Sequence, residues 1–115
     1  MHEASLVDGL FDQVDQVVAQ HPSGKSALVR VRVGELAGVE PELFRTAFEA
    51  ARESRGHGQA MLELVWEDAV WSCASCGTRV PRGGVLRCQA CGDGVALVRG
   101  GEIILERIEL EVPSV

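Results

Sequence analysis

The sequence has no tyrosine, and its other aromatic residues are three phenylalanines and two tryptophans. A core built from this chain must therefore rely on valine, leucine, isoleucine and alanine, which is ordinary for a small globular protein. No apolar stretch approaches the ~18 residues that a membrane-spanning helix needs, so no membrane partner is expected. The opening Met1-His2-Glu3 lacks the basic and apolar regions of a secretory signal, so we expect a cytoplasmic protein with reduced thiols.

Basic residues are also scarce, since 11 Lys and Arg face 17 Asp and Glu and the formal net charge is -6. This sign argues against nucleic acid as the main partner, because binding to phosphates needs a positive surface. The charge is uneven along the chain. Residues 73–99 carry four arginines and one aspartate, a net +3, which leaves -9 for the remainder.

Cysteine is confined to two Cys-x-x-Cys hooks, Cys73 with Cys76 and Cys88 with Cys91, separated by eleven residues. A glycine follows each hook and permits a tight turn, and paired hooks at this spacing are typical of a four-cysteine zinc ribbon. The residues between the hooks are too few and too polar for a core, so a structural Zn²⁺ is expected to fold the segment. Four thiolates leave no open coordination position for chemistry.

Other cysteine chemistry fits the hooks less well. A thioredoxin-like redox pair needs one hook at the start of a helix, and neither hook has that setting. Disulfides would suit a secreted protein. A rubredoxin-like iron site remains an alternative to zinc, because it uses the same four thiolates.

The apolar periodicity of the remaining sequence predicts an α+β fold with two helices on a three-stranded sheet. The helices are expected over residues 3–20 and 41–54, and the strands over 27–33, 60–66 and 103–112. The four-cysteine module is thereby inserted before the last strand. We expect one domain of residues 1–67 plus 101–115 and a zinc-ribbon domain of residues 68–100, called the ribbon below. Gly100-Gly101 at its exit is either a hinge or a turn.

Side-chain roles within these elements follow from the same patterns. Val29, Val31 and Val33 are expected on the buried face of the first strand. Five residues form the predicted buried stripe of the second helix: Leu43, Phe44, Ala47, Phe48 and Ala51. His21 and His57 stand beside proline and glycine at helix ends, where a solvated or capping role is expected.

The amino terminus is a second candidate metal site. The amine of Met1, the amide nitrogen of His2 and its imidazole are close enough to chelate one ion in fused rings, which suits square-planar Ni(II) or Cu(II). Glu3 can supply an oxygen or orient the imidazole. A histidine at position two is more often part of a frayed terminus, so the chemistry alone leaves this open.

Three stretches together resemble the HypA/HybF family of nickel metallochaperones. They are Met-His-Glu-x-Ser at the start, Val-Gly-Glu-x-x-Gly-Val before a Leu-Phe-x-x-Ala-Phe-Glu helix, and the two late hooks. The resemblance covers the full length. The matching residues are His2, Glu3, Gly34, Glu35, Gly38, Phe48, Cys73, Cys76, Cys88 and Cys91.

The resemblance implies a carrier and not an enzyme. It implies that Ni²⁺ is cargo for the large subunit of [NiFe]-hydrogenase, and for urease in some members, beside a GTP-hydrolysing partner. His2 would be the essential nickel ligand, helped by the amine of Met1 and by Glu3, with Glu40 as an auxiliary. The hooks lack the extra histidines that some members carry after the cysteines, so coupling between the two metal sites is not expected here. Both a monomer and a homodimer are compatible with the sequence.

A second interpretation comes from the ribbon alone. Zinc ribbons commonly bind other macromolecules, and Arg79, Arg82 and Arg87 could serve an adaptor that binds a protein or a nucleic acid. A metal-dependent hydrolase is excluded, because the sequence shows no second cluster with an open site and a general base.

Overall fold

The computed structural model describes residues 2–113, with His2 placed by its backbone in a helix. Two helices and five strands follow one another as α1 His2–Ala19, β1 Lys25–Gly34, α2 Pro41–Ala51, β2 Met61–Glu67, β3 Val70–Cys73, β4 Val95–Arg99 and β5 Ile103–Glu111. The predicted α+β class and its two helices and three sheet strands are confirmed. The short strands β3 and β4 were not predicted. Neither helix is long and apolar enough to span a membrane within the described residues.

The three-stranded sheet has the order β2-β1-β5, with β1 parallel to β2 and antiparallel to β5. Because β1 and β2 are parallel, the chain must cross over between them, and α2 makes this crossover. A separate two-stranded sheet pairs β3 with β4 inside the ribbon. The division into residues 1–67 plus 101–115 and 68–100 stays a prediction.

The core lies between the helices and one face of the three-stranded sheet. Phe11 of α1 and Phe48 of α2 stack with ring centroids 5.0 Å apart, within the range that favours aromatic pairs. The buried members are Val7, Leu10, Phe11, Val14, Val29, Val31, Val33, Phe44, Phe48 and Ala60. The alternating valines of β1 face this core as predicted.

Helix α2 begins on an N-terminal cap formed by Glu40. The carboxylate of Glu40 accepts a hydrogen bond from the amide of Leu43 at 2.9 Å, and Pro41 occupies the first turn. The prediction that Leu43 is buried is wrong, because its side chain is 52% exposed. Phe44 and Phe48 fill the core instead, and Leu43 lies one position off their stripe.

His57 is buried, so the expectation of a solvated or capping histidine is wrong. Its Nδ1 lies 2.7 Å from the hydroxyl of Ser26 and its Nε2 2.6 Å from the carboxylate of Asp15. The hydrogen bond from His57, helped by one from Arg55, lowers the pKa of Asp15. Since that carboxylate is ionised, Nε2–H donates to Asp15, and Nδ1 shares a hydrogen bond with the hydroxyl of Ser26. The imidazole thereby joins α1, the turn after α2 and the start of β1.

Replacing His57 with leucine should lower the free energy of unfolding by about 1–3 kcal/mol, because the buried Ser26 hydroxyl then loses its hydrogen-bond partner. Urea denaturation followed by far-UV circular dichroism measures this change. The double variant Ser26→Ala with His57→Leu should be less destabilised than the sum of the single changes, since both polar partners are removed. Additive losses would contradict the buried hydrogen bond. Exposed His21→Ala is the control and should change stability by less than about 0.5 kcal/mol.

The two connections of the ribbon to the sheet domain are packed against the end of β1. The amide of Leu36 donates to the carbonyl of Gly100 at 2.8 Å, and the amide of Gly100 donates to the carboxylate of Glu67 at 3.1 Å. A Cβ on Gly34 would lie 2.4 Å from the carbonyl carbon and oxygen of Gly100. Gly100 has a φ of +90° and is buried. Both glycines therefore permit close backbone contact, and Gly100 forms a bonded turn.

Candidate metal centre

The two hooks form the same backbone turn twice. The amide of Gly77 donates to the carbonyl of Cys73 at 3.0 Å, and the amide of Gly92 donates to the carbonyl of Cys88 at 2.9 Å. Both glycines have a φ of +77°, in the left-handed region that other residues adopt only with strain. Each turn directs two sulfurs to one point, and the first cysteine of each hook is buried while the second is exposed.

The four sulfurs lie close enough together to coordinate one metal ion. Cys73 lies 3.4 Å from Cys91, Cys76 lies 3.6 Å from Cys88, and Cys76 lies 4.0 Å from Cys91, measured between sulfurs. All four lie within 4.8 Å of one another. Zinc–sulfur bonds of about 2.3 Å at tetrahedral angles would place the sulfurs about 3.8 Å apart. The cluster fits a zinc ion, and these separations are far too long for the disulfide alternative, whose bond is about 2.05 Å.

Hydrogen bonds to sulfur favour thiolates on the first hook. The amides of Cys76 and Ser75 lower the pKa of Cys73. The hydroxyl of Thr78, 3.1 Å from the sulfur of Cys76, and the amide of the same threonine lower the pKa of Cys76 to about 6. Zinc binds the thiolate form, so these bonds prepare the hook for metal.

Crowding of the sulfurs opposes the last ionisation. The amide of Asp93 lowers the pKa of Cys91, but the nearness of Cys73 and Cys88 outweighs it and raises the pKa to about 12. Four neighbouring thiolates repel one another unless a cation lies between them. A divalent ion supplies that charge, so the cluster is arranged for a metal and is electrostatically unfavourable without one.

The structure brings two of the predicted nickel-site residues together. The backbone amide of Glu40 donates a hydrogen bond to the carboxylate of Glu3 at 3.3 Å. Since Glu40 also caps α2 through its own carboxylate, its oxygen is partly committed to the helix. The prediction for Met1 lies outside the described residues, and so does that for the imidazole of His2.

The arginines of the ribbon have unequal environments. Arg82 makes a bidentate ion pair with Glu35, at 2.8 and 2.7 Å, and Glu35 also accepts the amide of Ala69 at 2.8 Å. The Arg82 pair and the Ala69 amide lower the pKa of Glu35 to about 2. Arg79 and Arg87 are exposed and make no ion pair within residues 2–113. Arg82 is thus occupied inside the chain, which reduces the basic surface that the adaptor interpretation assumed.

Sequence reasoning missed this contact between the ribbon and the sheet domain. Glu35 and Arg82 are 47 positions apart, and each alone looks like an ordinary surface charge. In the sequence Glu35 stands out only as one of the residues that match the family pattern. The turn between the hooks and the end of β1 have to be placed in space before the pair becomes visible.

A closed cluster of four sulfurs, attached to a small α+β domain whose first helix begins at His2, defines a metal-binding protein. The sequence model of one family, described as "Hydrogenase/urease nickel incorporation, metallochaperone, hypA", matches residues 1–110. The chain therefore belongs to the HypA family of nickel metallochaperones. This membership confirms the predicted class, a carrier protein of hydrogenase maturation and not an enzyme.

Individual relatives agree with this assignment. The hydrogenase maturation factor HypA of Syntrophus aciditrophicus is 36% identical, over 97% of this chain and 99% of that protein. The HypA of Desulfitobacterium hafniense is 32% identical, over 96% and 99%. The solution structure of the nickel metallochaperone HypA from Helicobacter pylori superposes with a TM-score of 0.72 at 25% identity, and covers 96% of this chain and 98% of the other.

Proposed function

We propose that this chain binds Ni(II) through its amino-terminal residues, delivers it to a nickel enzyme, and holds a separate zinc ion for structure only. The observation that supports this division most directly is the closed cluster of four sulfurs, which leaves nickel no place among the cysteines. The nickel ligands then have to come from elsewhere in the chain, and His2 is the candidate.

The proposed nickel ligands are the imidazole of His2 and the amine of Met1, with Glu3 and Glu40 as neighbours. The contact between the Glu3 carboxylate and the Glu40 amide supports this, because it places Glu40 next to the first turn of α1, which follows the proposed ligands. A few nitrogen ligands at a chain end bind an ion less tightly than a closed cage. A carrier needs this property, because it must release its cargo.

Replacing His2 with alanine should weaken nickel binding by at least tenfold, about 1.4 kcal/mol, because the imidazole is the strongest proposed ligand. Isothermal titration of the untagged, zinc-loaded protein with Ni²⁺ measures this, and the zinc content should stay at one ion per chain. An unchanged nickel affinity would refute the proposal.

His21→Ala is the matched control. His21 is an exposed histidine in the turn after α1 and should not change nickel affinity. A second test extends the chain in front of Met1, which converts its amine to an amide and should also weaken nickel binding. If the extension has no effect while His2→Ala does, the imidazole is a ligand and the amine is not.

The partners of this carrier are proposed from the family. They are a GTP-hydrolysing maturation protein and the large subunit of a [NiFe]-hydrogenase, with urease as a further client. The reduced thiols that zinc requires favour action in the cytoplasm. A pull-down with the hydrogenase large subunit, compared between wild type and His2→Ala, tests whether docking is separate from nickel binding.

A further inference from the structure

An open cleft lies where the ribbon meets the end of β1, and the nickel proposal does not involve it. Its lining comes from residues 35–36, 68–71, 79–84 and 86, and its volume is about 590 Å³. The apolar residues that line it are Leu36, Ala69, Val70, Trp71, Val80, Pro81 and Leu86. Leu36 and Leu86 are 50% and 54% exposed. Large apolar side chains that line a groove and remain half exposed to water indicate a docking surface.

Of the charged residues that line the cleft, the two carboxylates and one of the two arginines have partners within the chain. Arg82 pairs with Glu35, and Asp68 also lies close enough to raise the pKa of Arg82. The indole nitrogen of Trp66 donates to Asp68 at 2.9 Å. The two carboxylates of the lining, Glu35 and Asp68, therefore both have partners within the chain. Arg79, the remaining charged residue of the lining, is exposed and makes no ion pair within the described part of the chain.

We propose that this cleft binds an extended segment of a partner protein in which acidic and aliphatic residues alternate. The aliphatic side chains would cover Leu36, Trp71 and Leu86, and a carboxylate would pair with Arg79. In an extended peptide alternate side chains point to opposite sides, so aliphatic residues on one side can contact the apolar lining, and the acidic residues between them lie within reach of the exposed guanidinium of Arg79. Arginine suits this role because its planar guanidinium binds a carboxylate with two hydrogen bonds.

An enclosed small molecule fits the cleft less well. Leu36 follows β1 and Leu86 lies between the two cysteine hooks, so the apolar lining comes from two distant parts of the chain and is open to solvent. An extended chain segment can contact both parts at once, whereas a compact ligand covers less of an open groove. The surface is independent of nickel, so its test uses zinc-loaded protein without nickel, and its failure would leave the nickel proposal untouched.

The probe is a fluorescein-labelled hexapeptide of alternating aspartate and leucine, added to the full-length protein and followed by fluorescence polarisation. Two control peptides replace all aspartates by lysine or all leucines by serine, and each should bind at least tenfold more weakly. Binding should shift the indole N–H signal of Trp71 in a nitrogen-labelled sample, because Trp71 lines the cleft. Equal binding of the lysine peptide, or an unmoved Trp71 signal, would overturn the proposal.

Arg79→Glu should weaken binding of the acidic peptide at least tenfold. Arg87→Glu is the matched control, because Arg87 is an exposed arginine of the same ribbon that does not line the cleft, and it should change affinity less than threefold. Zinc content and circular dichroism verify that both variants fold. Equal losses in the two variants would show attraction by net charge alone and would overturn the proposal. A second copy of the chain could also occupy the cleft. If sedimentation shows a dimer that excludes the peptide and that Arg79→Glu dissociates, the occupant is a second copy and the proposal is overturned.

Discussion

Replacing Cys76 with serine should unfold the ribbon while α1, α2 and the β2-β1-β5 sheet stay folded. Within residues 73–99 the buried side chains are those of Cys73 and Cys88, whereas the ten buried residues of the main core all lie between residues 7 and 60. The ribbon thus has no apolar core of its own, and metal binding must supply its folding free energy. Structural zinc sites contribute about 10–16 kcal/mol, far more than a few surface contacts can replace.

Metal analysis and nitrogen–proton correlation spectra measure this effect. We expect zinc to be lost from Cys76→Ser, the dispersed signals of the ribbon to collapse, and those of the valines in β1 to persist. Ala74→Ser is the control, since Ala74 is an exposed residue of the same turn with no sulfur. Full zinc content in Cys76→Ser would contradict the four-sulfur site, and iron in the wild type would favour the rubredoxin-like alternative. Loss of the whole fold would contradict the division into two domains.

The second large effect is expected from Gly34→Ala. A methyl group at this position would lie 2.4 Å from the carbonyl carbon and oxygen of Gly100, and both are backbone atoms that cannot move aside by changing rotamer. Relief requires the exit of the ribbon to move away from β1, which breaks the bonds from Leu36 to Gly100 and from Gly34 to Glu102. We expect the free energy of unfolding to fall by about 3 kcal/mol, the upper end of the usual cost of overpacking.

Urea denaturation gives the loss of stability, and hydrogen exchange at the Leu36 amide shows where the structure opens. Gly9→Ala is the matched control. Gly9 lies within α1 with no atom near its missing Cβ, so alanine should stabilise the protein by about 0.5–1 kcal/mol through its higher helix propensity. A change of less than about 0.5 kcal/mol in Gly34→Ala would show that the junction yields easily and that Gly100 acts as a hinge.

The sequence predicted the elements whose periodicity is strong. Helix α1 and strand β1 carry repeated valines and leucines on one face, and this face is the buried one. The predicted bounds of both elements therefore differ from the observed bounds by only one or two residues. The hooks were equally clear, because cysteine spacing is a local property. Strands β3 and β4 could not be predicted, because they are short and partly exposed. They pair next to the cysteine hooks, where Cys73 lies opposite Val95, and no alternating apolar pattern marks them in the sequence.

Contacts between distant residues could not be predicted. His57 looked like an exposed helix end, because Ser26 and Asp15 are 31 and 42 positions away. The pair of Glu35 and Arg82 depends on how the ribbon lies on β1, which no local pattern determines. Leu43 was assigned to the core because the helical period alone cannot separate adjacent positions at the edge of a stripe. These errors concern packing in space, while the residues proposed for metal binding were found from spacing and resemblance.

The ribbon lies between β2 and β5 in the sequence, and this position bears on how the three-stranded sheet closes. Strand β5 pairs with β1, so Val33 has to meet Ile103 across the whole four-cysteine segment. Once the metal is bound, β3 and β4 bring Val70 and Arg99 side by side, and the gap that the chain must close becomes much shorter. We therefore expect a chain synthesised without zinc to close its sheet more slowly. During that delay the edge of β1 that pairs with β5 would be open to other chains, so we expect more aggregation when zinc is lacking.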